Sequence, residues 1–232
     1  MQILNPGLNQ LQQNMLKIAP SILAANPLKL QRDCLDAEKY GAYRISVDVM
    51  DGHFVPDITF GHNIVAYLKD ILNIDIEVHL MVENPSSQLE SFLNAGTDVL
   101  TFHIETSSNV NQLIDYIQSN GKKAGIAINP DTNIETVEKY LEHIDELTVM
   151  TVIPGKGGQS LILNCLEKVR QLNKIKEMNN LEFDIQVDGG VKKDNIKLVY
   201  DAGADIAVAG TAIFNFDNSI QNNLQALMDA LR

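Results

Sequence analysis

An acid inside a short apolar run is costly unless it is paired or used, and this chain closes two such runs with aspartate. Residues 47–56 read V-D-V-M-D-G-H-F-V-P. Alternation puts Ser46, Asp48 and Met50 on one face and Val47 and Val49 on the other, and Asp51-Gly52 then breaks the chain into a loop. Asp188 ends a second run, ahead of Gly189-Gly190. Other predicted strands finish near Ser21, His79, His103, Asn129 and Met150. Taken singly, each has a structural account: Asp caps turns, His hydrogen-bonds, Met packs. Together they suit one chemistry. Two carboxylates on opposite sides of a substrate can take a proton from one face of a carbon and return one to the other, inverting a stereocentre without redox change. That proton must lie next to a carbonyl, and the resulting enediolate needs electrostatic or metal stabilisation. His79 between the carboxylates is a candidate divalent-metal ligand. Met50, Met81 and Met150, at corresponding depths on three strands, would form a low-dielectric cover over the reacting carbons.

The elements that must carry these residues repeat one grammar. Predicted strands cover 17–23, 44–49, 74–80, 98–103, 123–128, 146–152, 183–187 and 205–209, and a predicted helix follows each. Asn26-Pro27 and Asn84-Pro85 open helices, and Thr132-x-x-Glu135 reads as a capping box for a helix to about residue 141. Gly41, Gly96 and Gly203 each close a helix just before a strand. Eight βα units in this length predict an α/β fold, a single-domain (β/α)8 TIM barrel over residues 17–232. Residues 1–16 read as an N-terminal extension, with Leu8, Leu11 and Met15 at helical spacing. The competing doubly wound sheet lacks a G-x-G-x-x-G after the first strand. In a barrel the reactive residues gather at the C-terminal strand ends, so Asp48 and Asp188 are expected to face one another across the mouth. Late loops are glycine-rich: Gly155, Gly157 and Gly158 after strand 6, Gly189 and Gly190 after strand 7, Gly210-Thr211 after strand 8. Short loops need glycine for their turns, but consecutive glycine loops at strands 7 and 8 are also what a phosphate site built from backbone N–H groups requires.

Composition narrows the partners. A net charge of -12 opposes nucleic-acid and anionic-membrane binding, while 45% hydrophobic and 21% charged residues match an ordinary globular chain. No apolar run approaches the roughly 20 residues of a membrane span. The N-terminus lacks the basic and apolar regions of a signal peptide, and Cys34 and Cys165 have no CxxC partner, so a reducing cytoplasm is the expected location. A small anionic ligand remains compatible with the acidic chain, because a nest of N–H groups is locally positive.

The chain resembles the ribulose-phosphate 3-epimerase family from residue 18 to residue 214. The pieces that carry the resemblance are I-A-P-S-I-L at 18–23, V-D-V-M-D-G-H-F-V-P at 47–56, V-H-L-M at 78–81, V-M-T-V at 149–152, G-G-Q at 157–159, V-D-G-G at 187–190 and A-G-T-A-I-F at 209–214. The resemblance implies a TIM barrel of the pentose phosphate pathway that interconverts ribulose 5-phosphate and xylulose 5-phosphate by inversion at C3, through a 2,3-enediolate. It implies Asp48 and Asp188 as the acid/base pair, and both as ligands, with His79, of a divalent metal (Zn, Fe, Mn or Co). It further implies Ser21, His79 and the three methionines at the sugar, and the glycine loops with Thr211 at the phosphate. A homo-oligomer is also implied.

Two departures stand out. The family's fourth metal ligand is a histidine two residues before the strand-2 aspartate, where this chain has Ser46. A neutral hydroxyl is a much poorer ligand for zinc or iron than imidazole, so the metal is expected to be weakened or lost unless Glu77 substitutes. The strand-6 loop, usually N-P-G-F-G-G-Q, reads I-P-G-K-G-G-Q here, so Ile153 and Lys156 replace an amide and an aromatic cover. Lys156 is either solvated or reaches the phosphate or enediolate. Three readings follow: an epimerase of this or a variant ketose phosphate such as allulose 6-phosphate, a catalytically impaired phosphosugar-binding barrel, or a decarboxylase. The last lacks an Asp-x-Lys at a strand end.

Overall fold

The computed structural model describes residues 15–215 and 217–232. Leu8 and Leu11 of the expected N-terminal extension lie outside the described residues. The eight strands are β1 (Lys17–Pro20), β2 (Arg44–Met50), β3 (Asp75–Met81), β4 (Val99–His103), β5 (Lys123–Ile128), β6 (Glu146–Met150), β7 (Asp184–Asp188) and β8 (Ile206–Ala209). They form one parallel sheet in the order β1-β8-β7-β6-β5-β4-β3-β2. A single parallel bridge between Ser21 and Ser46 returns β1 to β2 and completes the ring. The helices are α1 (Leu30–Lys39), α2 (His62–Ile71), α3 (Leu89–Asn94), α4 (Val110–Ser119), α5 (Cys165–Asn179), α6 (Ile196–Asp201) and α7 (Ile220–Asp229). Among the described residues no helix is long and apolar enough to cross a membrane.

Period-2 alternation sorts each strand between two environments. On β2, Ile45, Val47 and Val49 join the main apolar core beneath the helices, as do Val78 and Leu80 of β3 and Ile185 and Val187 of β7. The alternate residues of the same strands, Arg44, Ser46 and Asp48, are equally buried but face the barrel interior. Burial on both faces is the rule for a parallel sheet covered by helices. The alike helix ends anticipated at Gly41, Gly96 and Gly203 are alike in geometry too, with φ of +96°, +96° and +97°, a conformation that glycine enters without steric cost.

The fifth βα unit departs from expectation. The anticipated helix to about residue 141 is replaced by two 3-10 turns, Ile134–Thr136 and Glu138–Tyr140, and Asn133, not Thr132, occupies the N-cap. The Thr132 hydroxyl donates instead to the Glu105 carboxylate, a charged acceptor that outcompetes a capping role. The Lys168 ammonium anchors the same loop, donating to the carbonyls of Asn129, Pro130 and Thr132 at 3.1, 2.7 and 2.5 Å.

A polar layer fills the barrel below the strand ends. Arg44 Nη2 donates to Glu146 Oε1 at 2.7 Å and to Gln186 Oε1, and lies 2.9 Å from Glu77 Oε2. Glu77 Oε2 has no hydrogen bond, so that contact is off the N–H direction and electrostatic. Gln186 Nε2 donates to Glu77 Oε1 at 2.7 Å and to Thr148 Oγ1 at 3.0 Å.

Candidate active site

Above that layer β2, β3 and β7 bring three side chains to one point. The parallel register sets Asp48 beside His79, and closure of the ring carries Asp188 to the same place. His79 Nδ1 lies 3.2 Å from Asp48 Oδ1 and 3.2 Å from Asp188 Oδ2. The second oxygen of Asp48 accepts the Ser21 hydroxyl at 2.5 Å, and Ser21 Oγ in turn accepts the Leu23 N–H. Ser21, expected at the sugar, thus lines the cleft while its hydroxyl holds Asp48. Thr59 clamps the end of β2, donating to the Asp48 carbonyl at 2.6 Å and accepting the Met50 N–H at 3.0 Å.

The electrostatics follow from burial and proximity. Burial works against an imidazolium at His79, but the hydrogen bonds and charges of Asp188 and Asp48 prevail and raise it. Asp188 is raised to about 6 by burial and then by the charge of Asp48, against the opposing pull of His79. Two carboxyl groups held at one point in different surroundings are the arrangement that paired acid/base chemistry uses.

Asp48, His79 and Asp188 each offer a donor atom, and the three atoms lie within 4.8 Å of one another. Three protein ligands with one open position is the pattern of a catalytic divalent-metal site, so this donor set fits a metal. Ser46, which stands where the family has its fourth ligand, is buried with its Oγ lacking a hydrogen-bond partner. Glu77 is held by Arg44, Gln186 and Thr101 in the layer below, which argues against its service as a ligand.

The cleft over this centre is open to solvent. Asp48 and Asp188 are on its floor, and Ser21, Met50, Met81 and Met150 on its walls. His79, also expected at the substrate, is fully buried behind the aspartates and does not line the cleft. Gly155, Gly157, Gly158, Gly189, Gly190, Gly210 and Thr211 all border one side. Three of these glycines are also required by packing: at Gly155 (φ +102°) a Cβ would stand 2.7 Å from Val55 Cβ, at Gly189 (φ +120°) 2.4 Å from a Val152 methyl, and at Gly190 (φ +70°) 2.4 Å from the Leu161 amide nitrogen. Around Gly157 and Gly158 nothing approaches a Cβ closer than 3.7 Å, so those two leave open room at the mouth. The Gln159 amide pins this loop by donating to the carbonyls of Ile153 and Lys156. Lys156 is exposed and borders the cleft.

Two groups stand behind the site: His103, one of the strand-end residues named from the sequence, and Glu105, which the sequence reading did not single out. His103 Nε2 lies 3.0 Å from His79 Nε2, and His103 Nδ1 lies 3.1 Å from Glu105 Oε2. Burial opposes ionisation of Glu105, but His103, the Asn129 N–H and the Thr132 hydroxyl together hold its carboxyl down at about 2. His103 was visible as a strand-end histidine. The H-x-E spacing, which places the acid two residues beyond the strand end, is the signal for its partner.

Comparison with known proteins agrees with this geometry. Residues 17–214 match the ribulose-phosphate 3 epimerase family. The ribulose-phosphate 3-epimerase of Bacillus subtilis is 40% identical over 201 residues, covering 86% of this chain and 93% of the relative. That of Treponema pallidum is 40% identical over 198 residues, covering 85% and 91%. Among solved structures, the 3-hexulose-6-phosphate synthase of Salmonella typhimurium shares the fold, with a TM-score of 0.70 at 16% identity over 93% of this chain and 98% of the other. Identity of this extent, spanning every strand that reaches the cleft, means that the chain belongs to the ribulose-phosphate 3-epimerase family.

Proposed function

We propose that this chain inverts C3 of a ketose phosphate, interconverting ribulose 5-phosphate and xylulose 5-phosphate. The observation that carries the proposal is the convergence of Asp48 and Asp188, from separated strands, on the floor of a cleft bordered by glycine loops. The phosphate sits against the N–H groups of the loops at Gly157-Gly158, Gly189-Gly190 and Gly210-Thr211, which lays C3 over the aspartates. The ionised carboxylate takes the C3 proton, C2 and C3 become an enediolate, and the protonated carboxyl of the other aspartate delivers its proton to the opposite face. Ser21 fixes the orientation of Asp48 through the 2.5 Å hydrogen bond. Met50, Met81 and Met150 keep water from the planar intermediate.

Asp48, His79 and Asp188 would hold a divalent ion (Zn, Fe, Mn or Co), and when bound such an ion supplies positive charge to the enediolate oxygens. The test is elemental analysis of the purified protein alongside turnover of ribulose 5-phosphate, with allulose 6-phosphate as the comparison substrate, each with and without a chelator. One metal per chain with chelator-sensitive epimerisation supports three-ligand binding. Binding of the sugar phosphate with neither turnover nor proton exchange at C3 would leave a phosphosugar-binding barrel. Ser46→His restores a fourth donor and is expected to raise Zn2+ affinity about tenfold or more. Unchanged affinity in a folded variant would show that position 46 does not reach the ion.

Lys156 places an ammonium at the cleft mouth, where a charge-assisted hydrogen bond to phosphate or enediolate is worth about 1.5–3 kcal/mol. Lys156→Ala is expected to lower kcat/KM about tenfold, with a smaller deficit at high salt. Unaltered kcat and KM would assign this lysine to solvent. The family's cellular setting and homo-oligomeric habit are carried to this chain with the same proposal, and size-exclusion chromatography with light scattering tests the latter.

A further inference from the structure

We propose that Glu105 and His103 are positioning residues that fix the proton of His79 on Nε2 and so keep Nδ1 open as the donor to the metal. The inference rests on the reading of His79 as a ligand and concerns groups that never meet the substrate: His103 is fully buried and does not border the cleft.

The argument is a chain of obligatory donors and acceptors. Glu105 Oε1 accepts the Asn129 N–H at 2.8 Å and the Thr132 hydroxyl. A backbone amide can only donate, and a carboxylate can only accept. The other oxygen, Oε2, lies 3.1 Å from His103 Nδ1, so His103 Nδ1 carries a hydrogen. A neutral imidazole protonated at Nδ1 has its lone pair at Nε2. His79 Nε2, 3.0 Å away, must therefore donate. With its Nε2 position occupied by that hydrogen, the remaining nitrogen of His79 is the one aimed at Asp48 and Asp188. The opposite tautomer would place a hydrogen on Nδ1, where the ion must bind.

The pair is mechanically held as well. The His79 and His103 rings are inclined by only 16° with centroids 5.0 Å apart, which keeps the two Nε2 atoms in line. Phe54, on the loop that follows β2, packs against His103 with ring centroids 4.8 Å apart. Outer hydrogen-bond partners of this kind orient metal-binding histidines and raise their basicity. Glu105 has its own support in the β5 loop through Asn129 and Thr132, so its position does not depend on His103.

Two measurements test the pair. Long-range proton–nitrogen correlation of the imidazole rings, with the five histidines assigned by single substitutions, is expected to show His103 as the Nδ1–H tautomer with or without metal. His103 as the Nε2–H tautomer would overturn the proposal, whatever the protein does with metal. Second, titration with Zn2+ against a competing chelator is expected to show affinity reduced about 10–100-fold in His103→Leu and Glu105→Leu. His103→Gln, whose side-chain carbonyl can still accept from His79, is expected to stay within a few-fold of the parent. Circular dichroism confirms that each variant is folded. Parent-like Zn2+ affinity in both leucine variants would overturn the proposal, as would an equal loss in His103→Gln. A parent protein that binds no Zn2+ would instead refute the metal reading, and the ring spectra alone would then judge the pair.

Discussion

Asp48→Asn and Asp188→Asn are each expected to lower epimerisation by about a thousandfold or more, within or above the range that a positioned acid or base contributes. The more telling result lies in proton exchange. If each aspartate serves one face of C3, a variant retaining only one can still remove and replace the proton on its own face. Each variant should then wash deuterium from solvent into one epimer only, and the two variants should prefer opposite epimers. The asparagine oxygen keeps a neutral acceptor near His79, so the centre is altered rather than emptied. Proton NMR of ribulose 5-phosphate and xylulose 5-phosphate in heavy water follows the C3 signal directly. Exchange of both epimers by either single variant would mean that one carboxyl serves both faces, and the two-sided mechanism would be wrong.

That prediction can be made from the chain alone to an unusual degree, and the reason is the periodicity of a barrel. Strands announce themselves by apolar runs, and alternation fixes which residues share a face. The rule that chemistry gathers at C-terminal strand ends then selects Asp48, His79 and Asp188 without knowledge of contacts. Close approach of all three is a consequence of ring closure, and ring closure follows from the count of βα units. The lining of the cleft by three methionines and the late glycines comes from the same logic.

What stayed hidden depends on pairings between distant residues or on competition for one group. The capping box at Thr132 was a sound local reading, lost because Glu105, 27 positions earlier, claims the hydroxyl. Ser21 lines the cleft as its strand-end position suggests, but its hydrogen bond to Asp48 appears only once β1 returns to β2. Glu77 shares a face with His79 as alternation requires, yet the layer below claims it. His103 and Glu105 each look ordinary in sequence. Their meaning appears only when the His79 ring is seen to point its two nitrogens at different neighbours.

The polar layer beneath the site is the clearest case of a feature invisible to local pattern, since Arg44 meets Glu146 and Gln186 across 102 and 142 positions. Arg44→Met is expected to destabilise the protein by about 3–5 kcal/mol, because it leaves buried acids without their cation. Arg44 is 2% exposed, Glu77 0% and Glu146 2%, so water cannot replace the lost charge. Burial already raises Glu146 to about 7, with Glu77 adding to the rise and Arg44 opposing it. Without Arg44 the rise at Glu146 loses its main opposition. A carboxyl whose folded pKa is raised stabilises the fold most below its unfolded value near 4.5 and loses that contribution as pH climbs. The deficit of Arg44→Met should therefore be smaller at pH 5 than at pH 8, as read from urea denaturation at both. Adding Glu77→Gln and Glu146→Gln to Arg44→Met should recover most of the loss, since neutral amides need no cation. A deficit below about 1 kcal/mol, or one independent of pH, would show that the layer is not held by charge. Gln186, Glu77 and Arg44 stand on β7, β3 and β2, the strands that carry Asp188, His79 and Asp48. The same interactions that keep the acids compatible with a buried interior thus set the relative positions of the three side chains on which the proposed chemistry depends.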